Sequence, residues 1–136
     1  MVRRRTIDLD GITHNAPIPM ASVIENLLAT SAIFGADRRT GQIPESAEEE
    51  IACLFENVTA VLNEAGGSCN DILRMGVLVK ETSLRSIINE KWLAMFPNET
   101  DRPARHITVV PELPARAQIE LLAVLPIEPT GVASDG

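Results

Sequence analysis

Aromatic side chains are scarce in this chain, which has no tyrosine, one tryptophan and three phenylalanines among 136 residues. Proteins that bind single-stranded nucleic acid stack the bases on aromatic side chains, so this composition disfavours that class of function. The net charge of -7 points the same way, because association with phosphate backbones requires an excess of Lys and Arg. We therefore expect no nucleic-acid partner.

Metal ligands and disulfide partners are also few. The two cysteines, Cys53 and Cys69, form no CxxC pair, and the two histidines, His14 and His106, lie far apart in the sequence. Zinc sites and disulfide frameworks both need several such residues at characteristic spacings. We expect neither a metal site nor a disulfide.

Long hydrophobic runs are absent as well. No stretch approaches the roughly 20 apolar residues that a membrane-spanning helix needs, and polar residues follow the basic start where a signal peptide would be apolar. The sequence therefore predicts a cytoplasmic protein without a membrane partner. Since a chain of this size can bury about two thirds of its unfolded surface, we expect one domain over residues 1–126, followed by a flexible tail at residues 127–136.

Hydrophobic periodicity predicts two helices that alternate with strands. A capping box beginning at Ser46 precedes apolar residues at intervals of three and four, and the glycines at 66 and 67 end this helix. A second helix is expected to be capped by Thr82 or Ser83 and to end before Pro97. Segments rich in β-branched and apolar residues predict strands at residues 21–24, 26–34, 72–80, 105–110 and 116–125.

This order predicts an α/β (α+β) fold with one mixed sheet and two helices. Right-handed crossovers would place both helices on the same face of the sheet. The last strand is apolar on both sides, so its second face also needs a cover. An uncovered face would expose a larger apolar patch than monomers usually show, and we expect a homo-oligomer with the functional site at its seam. Coverage by loops and the tail is the alternative.

Two charged residues stand out in the apolar C-terminal strands. The guanidinium of Arg105, beside a strand, can bind a planar carboxylate through two parallel hydrogen bonds. The carboxyl of Glu120 lies between apolar neighbours, where it can hold a water molecule or transfer protons. Together they predict a site for a small-molecule carboxylate. A structural ion pair between the two residues is the alternative.

Several segments together resemble the RidA family, also called the YjgF family. They are residues 26–35, residues 56–67, residues 89–97, the Pro-Ala-Arg motif at 103–105 and the Ile-Glu pair at 119–120. The resemblance implies a chorismate-mutase-like fold and a homotrimer with clefts between its subunits. It also implies hydrolysis of reactive enamines and imines to 2-keto acids and ammonia, without metal or organic cofactor.

The resemblance also implies roles for individual residues. Arg105 would bind the substrate carboxylate, and Glu120 would position the attacking water and move protons around it. Ser31 and Asn89 would line the cleft, and the main-chain carbonyl near Ile107 would help to hold the water.

One departure from the family pattern affects the expected substrate. The N-terminal tyrosine that closes over the substrate has no counterpart, because the chain contains no tyrosine. Residues 14–20 stand in its place, and His14 is the candidate to enter the cleft. Ala32 and Ile107 replace a glycine and a cysteine that are usual in the family. These changes leave the arginine and the glutamate in place, so we expect the same chemistry on a different substrate.

Three functions remain open from the sequence. The first is a deaminase of small enamine or imine acids, including a specialised form acting on a longer unsaturated amino acid such as 2-aminomuconate. The second is a protein that binds or senses a keto acid in the same clefts without turnover. The third is RNA cleavage or inhibition of translation, which is associated with some family members and which the acidic charge disfavours.

Overall fold

The computed structural model describes residues 2–12 and 14–127. Except for Ile127, the predicted flexible tail lies outside these described residues. The described chain forms seven strands and two helices: β1 (Arg5–Ile7), β2 (Ala21–Ile24), β3 (Leu27–Thr30), β4 (Ile33–Phe34), α1 (Ala47–Glu64), β5 (Ile72–Val79), α2 (Arg85–Met95), β6 (Ala104–Val109) and β7 (Ala117–Val124). Single 3-10 turns precede β5 and α2, at Cys69–Asp71 and Thr82–Leu84.

All seven strands belong to one mixed sheet. Its order is β1-β2-β3-β7-β5-β6, and β4 pairs with β7 as well. Strands β5 and β6 run parallel, and the other pairs are antiparallel. This confirms the predicted α/β (α+β) fold, with β7 at the centre and β6 at an edge.

Both helices pack on the same face of the sheet, as predicted. Side chains in a strand alternate between the two faces, and Val77 of β5 and its register partner Ile119 of β7 both point toward the helices, where they are fully buried. They form one apolar core with Leu54 of α1 and Ile88 of α2. The apolar stripe of each helix is therefore buried by the same sheet face.

Helix α1 begins and ends where the sequence predicts. The Ser46 hydroxyl accepts a hydrogen bond from the main-chain N–H of Glu49 at 3.1 Å, which satisfies one of the free donors of the first turn. At the other end Gly66 adopts a φ of 90°, and the N–H of Gly67 donates to the carbonyl oxygen of Leu62 at 2.8 Å. A left-handed residue of this kind favours glycine and ends the helix.

The predicted cap of α2 is wrong. A 3-10 turn intervenes, and the helix begins at Arg85 without a side-chain cap hydrogen bond. The Ser83 hydroxyl donates to a carboxylate oxygen of Glu81 at 3.2 Å instead, so it does not accept from the helix. The helix α2 therefore begins at Arg85, one or two residues later than a cap at Ser83 or Thr82 would place it.

The predicted strand at residues 26–34 is divided into β3 and β4. The Thr30 hydroxyl accepts a hydrogen bond from the main-chain N–H of Leu121 at 2.9 Å, replacing the main-chain pairing that would continue β3. Residues 31 and 32 form the break. This β3–β4 break positions Ser31 beside the central strand β7.

The sheet face opposite the helices, here called the open face, carries apolar side chains. Leu27 pairs with Val124, and Ala29 pairs with Leu122. Leu27 is 61% exposed and Leu122 is 46% exposed within the described part of the subunit. Their clustering across two neighbouring strands marks the open face as a candidate surface for subunit contact.

A buried ion pair holds the start of β7 against α1. The carboxylate of Glu50, whose side chain is 0% exposed, accepts from the Arg116 guanidinium at 2.8 Å and from its main-chain N–H at 3.0 Å. A second guanidinium nitrogen of Arg116 donates to the main-chain oxygen of Glu45. Because the Glu50 side chain is shielded from water, the ion pair with Arg116 compensates for its lost hydration.

Replacing Arg116 with methionine is expected to lower the free energy of unfolding by about 3 kcal/mol, because it leaves a buried carboxylate without its partner. Urea denaturation at a fixed protein concentration measures the change. Arg39→Met is the matched control, because Arg39 pairs with Asp37 at 2.9 Å on the surface and should contribute little. Equal effects of the two substitutions would contradict a structural role for the Glu50 pair.

Candidate active site

Arg105 lies on the edge strand β6 and points toward the helix-covered face. Its register partner in β5 is Met75, which is fully buried on that face. The guanidinium carbon lies 4.8 Å from the centroid of the Trp92 ring on α2. A cation above an indole ring is attracted by the negative face of the ring, so Trp92 holds the guanidinium in a defined orientation.

The guanidinium of Arg105 has an unused donor. Its Nη1 is buried and has no hydrogen-bond partner among the described residues. Burial, and to a smaller extent the positive charge of Arg85, lower the pKa of Arg105 from its usual value. Arginine nevertheless stays protonated in proteins. A buried charged donor without an acceptor is costly, and an anionic ligand would satisfy it.

Three of the predicted residues lie together in one cleft of about 550 Å³. Its lining consists of Arg85, Asn89, Arg105, His106 and Ile107. The described lining contains no acidic side chain, so the cleft carries positive charge. This brings Arg105, Asn89 and Ile107 together, as expected for a carboxylate site, and we call it the arginine cleft.

Sequence reasoning missed Arg85 in this cleft. Arg85, Asn89 and Trp92 are spaced by four and three residues on α2, and residues at these spacings share one face of a helix. That spacing, together with the polar character of the first two residues, was the available signal. It was hidden by the expectation that the helix would be capped earlier.

Glu120 lies on the open face of the same sheet. It pairs with Gly76 of β5, and Gly76 pairs in turn with His106 of β6. His106 is one residue beyond Arg105, so the side chains of Glu120 and Arg105 point to opposite faces. The structure therefore does not bring these two residues together within one subunit. A direct ion pair between them inside the subunit, as the structural alternative would need, does not occur either.

Ser31 lies opposite the part of β7 that contains Glu120. The pairs Ala29 with Leu122 and Ile33 with Ile119 bracket the β3–β4 break, which places Ser31 opposite the Glu120 segment. The main-chain N–H of Ser31 donates to the carbonyl oxygen of Met20 at 2.9 Å, which fixes the break. Glu120 and Ser31 thus form a second group of predicted residues, separate from the arginine cleft.

His14 is held at the same break. Its Nε2 lies 2.8 Å from the carbonyl oxygen of Ala32, and its ring meets Phe34 edge-on at 6.4 Å between centroids. Because a carbonyl only accepts, Nε2 must carry the proton. The Nδ1 atom is buried and has no hydrogen-bond partner among the described residues. His14 lines a neighbouring cleft with Phe34 and not the arginine cleft.

Comparison with known proteins identifies the relationship. The profile of the Endoribonuclease L-PSP family matches residues 14–125. The chain belongs to the RidA (YjgF) family. It is 27% identical over 118 residues to a protein of Escherichia coli K12 named 2-iminobutanoate/2-iminopropanoate deaminase, covering 82% of this chain and 92% of that protein. It is 30% identical over 118 residues to a RutC family protein of Pyrococcus abyssi, covering 82% and 91%.

Solved structures agree with this relationship. The crystal structure of RidA from the Antarctic bacterium Psychrobacter sp. PAMC 21119 matches with a TM-score of 0.77 and 28% identity, covering 89% of this chain and 99% of that one. The yeast Mmf1 structure matches with a TM-score of 0.82 at 20% identity, which supports the fold alone. The predicted membership of the RidA family is confirmed.

The described part of this RidA-family chain holds no group of three His, Cys, Asp or Glu side chains arranged for a metal ion. Nor is any helix within residues 2–12 and 14–127 long and apolar enough to cross a membrane. The expectation that no cofactor is needed stays a prediction. Among the described residues, the arginine cleft contains the guanidinium groups of Arg85 and Arg105. The carboxyl residue Glu120 and the hydroxyl residue Ser31 lie near each other at the β3–β4 break.

Proposed function

We propose that this protein hydrolyses enamine and imine acids to 2-keto acids and ammonia, in clefts between the subunits of a cytoplasmic homotrimer. The observation that carries the proposal is Arg105, whose Nη1 has no hydrogen-bond partner among the described residues and whose side chain lines a cleft without an acidic side chain among its described lining residues. A carboxylate of the substrate satisfies this donor. The name of the Escherichia coli relative supports the reaction class.

The positions of Arg105 and Glu120 on opposite faces of the sheet support the proposed assembly. Arg105 and Glu120 point to opposite sides, so a complete site needs the arginine cleft of one subunit and the Glu120 face of another. Such a contact joins two different surfaces, and repetition around a rotation axis closes it into a ring. In a trimer each subunit then supplies Arg105 to one site and Glu120 to the next. The exposed apolar residues of the open face would be buried in the same assembly.

The reaction requires a bound substrate, a water molecule and a carboxylate that transfers protons. An enamine first tautomerises to the imine, whose carboxylate binds Arg105 and whose polar end reaches the Asn89 amide. Glu120 of the neighbouring subunit accepts a proton from water while the water oxygen forms a bond to the imine carbon and the C=N electrons move to nitrogen. The proton held by Glu120 passes to nitrogen and gives a carbinolamine. The carbinolamine hydroxyl then loses its proton to Glu120, which passes it to nitrogen; the oxygen electrons form the C=O bond as the C–N bond breaks, and ammonia leaves a 2-keto acid. A positioned carboxyl typically contributes a factor of about 100 to 10,000 to such a step.

Three further residues complete the proposed site. Ser31 lies opposite the Glu120 segment, and its hydroxyl would orient the substrate. Ile107 lines the arginine cleft, and its main chain would help to hold the water. His14, in place of the family's tyrosine, would shape the entrance from the β3–β4 break. No metal and no organic cofactor takes part in these steps.

The proposal is tested by generating 2-iminopropanoate from alanine with an amino-acid oxidase and following its decay with and without the protein. Acceleration above the buffer rate is expected. Unchanged decay together with tight binding of pyruvate would indicate that the protein senses a keto acid without turnover. Metal-free cleavage of RNA that disappears in Arg105→Ala would instead support the ribonuclease alternative.

The substitution Leu122→Glu tests the proposed trimer. Leu122 is an exposed apolar residue on the open face, and a carboxylate there would have to be buried between subunits. Light scattering after size exclusion is expected to show monomers, and deaminase activity is expected to be lost with the trimer. Val2→Glu adds the same charge at the exposed N-terminal segment and should leave the trimer intact. An intact, active trimer of Leu122→Glu would contradict assembly through the open face.

A further inference from the structure

A second arginine, Arg85, faces the same cleft as Arg105. We propose that Arg85 determines specificity by binding a second anionic group, so that the preferred substrates are imines or enamines of dicarboxylic amino acids. This inference rests on the proposed function, because it names the substrate class of that site. It concerns a residue that contributes to binding and lies away from the reacting carbon.

The geometry separates two anion positions along α2. Arg85 is the first residue of the helix, Asn89 follows one turn later, and Trp92 carries the Arg105 guanidinium above its ring. Since a helix rises 1.5 Å per residue, Arg85 and Trp92 are offset by about 10 Å along the axis. Long arginine side chains shorten this separation, and a substrate with a few carbon atoms between its carboxylates would span it.

The charge of the cleft favours a ligand with two negative charges. Arg3, Arg39 and Arg116 each have a carboxylate partner within 4.0 Å. Arg85 and Arg105 have no acidic partner among the described residues, although they are close enough for Arg85 to lower the pKa of Arg105. A monocarboxylate would neutralise one of these two guanidinium groups. A dicarboxylate would neutralise both and would remove their mutual repulsion.

The beginning of α2 adds to the same preference. The main-chain N–H of Arg85 donates to the carbonyl oxygen of Thr82 in the preceding 3-10 turn, and the positive end of the helix dipole lies at the same end of α2 as the Arg85 side chain. Arg85 itself is exposed in the subunit, where water can reach it. Its contribution should therefore appear in the affinity for the distal carboxylate and leave the chemical step unchanged, because binding far from the reacting atoms acts equally on substrate and transition state.

The experiment compares two imines made in the same way, 2-iminopropanoate from alanine and 2-iminoglutarate from glutamate. The wild-type protein is expected to use 2-iminoglutarate with a kcat/KM about tenfold higher, as one charge-assisted hydrogen bond allows. Arg85→Gln is expected to remove this preference by raising KM for 2-iminoglutarate about tenfold more than KM for 2-iminopropanoate, with little change in kcat for either substrate. Arg39→Gln, which removes the same charge at a distant surface site, should change neither substrate.

Binding of the product acids provides a readout that does not depend on turnover. Titration calorimetry with 2-oxoglutarate and pyruvate should show the same preference and the same loss in Arg85→Gln. Equal use and equal binding of the one- and two-charge acids by the wild type would overturn the role of Arg85 while leaving the proposed deaminase intact. Tight binding of 2-oxoglutarate without hydrolysis of either imine would overturn the deaminase and keep the dicarboxylate site.

Discussion

Arg105→Ala is expected to reduce kcat/KM for imine hydrolysis by about 2 to 5 kcal/mol in free-energy terms. Arg105 lines the arginine cleft, its Nη1 has no hydrogen-bond partner among the described residues, and its guanidinium is oriented by the Trp92 ring. Without it the substrate carboxylate would enter a partly desolvated cleft with no fixed partner near the reacting carbon. Single-turnover and steady-state decay of 2-iminopropanoate measure the loss.

Two control substitutions distinguish carboxylate binding by Arg105 from a general effect of positive charge. Arg105→Lys keeps the charge but loses the planar pair of donors, and should recover only part of the activity. Arg38→Ala removes an arginine from an exposed loop, where its Nε donates to the main-chain oxygen of Asp10, and should remain fully active. Full activity of Arg105→Ala in a folded trimer would refute the carboxylate-binding role.

Glu120→Gln is expected to lower kcat by a factor of about 100 to 10,000 with little change in KM. The amide has the shape of the carboxylate but cannot accept the proton of the attacking water. Glu120 is exposed on the open face, so the substitution should not destabilise the subunit. Rates measured above and below KM distinguish a loss of chemistry from a loss of binding.

Co-expression of Arg105→Ala and Glu120→Ala subunits tests whether the two residues act in one site at the interface between subunits. If each site takes Arg105 from one subunit and Glu120 from its neighbour, equal mixing should restore about one quarter of the sites, since each of the two positions is intact half of the time. Each variant alone should be inactive. No recovery in verified mixed trimers would contradict a shared site.

Much of the fold was predictable because the signals are local. The stripe of α1 has period 3.6, its cap at Ser46 and its stop at Gly66 follow from the side chains and φ preferences of single residues, and the structure confirms both ends. Strand β1 was missed, because three residues at an edge carry too little pattern to be recognised. The break at Ser31 was missed as well, since it depends on a Thr30 hydrogen bond to a residue distant in sequence.

The candidate site was predictable in its members but not in its arrangement. A guanidinium and a carboxyl in apolar strands indicate ligand chemistry on their own, and the Pro-Ala-Arg motif indicates the family. Which face each side chain occupies depends on the register of β5, β6 and β7, and a shift of one residue would exchange the faces. Arg85 joins Arg105 because the tertiary structure places this end of α2 beside β6 at the same cleft.

The sequence by itself determined the alternation of two helices with strands, both ends of α1 and the residue types available for binding an organic acid, because these depend on neighbours along the chain. Only the tertiary structure decided that Arg105 and Glu120 lie on opposite faces of one sheet, and that Arg85 shares the cleft of Arg105. The physical reason is that strand register and helix packing are set by contacts between residues far apart in sequence, which no local pattern records.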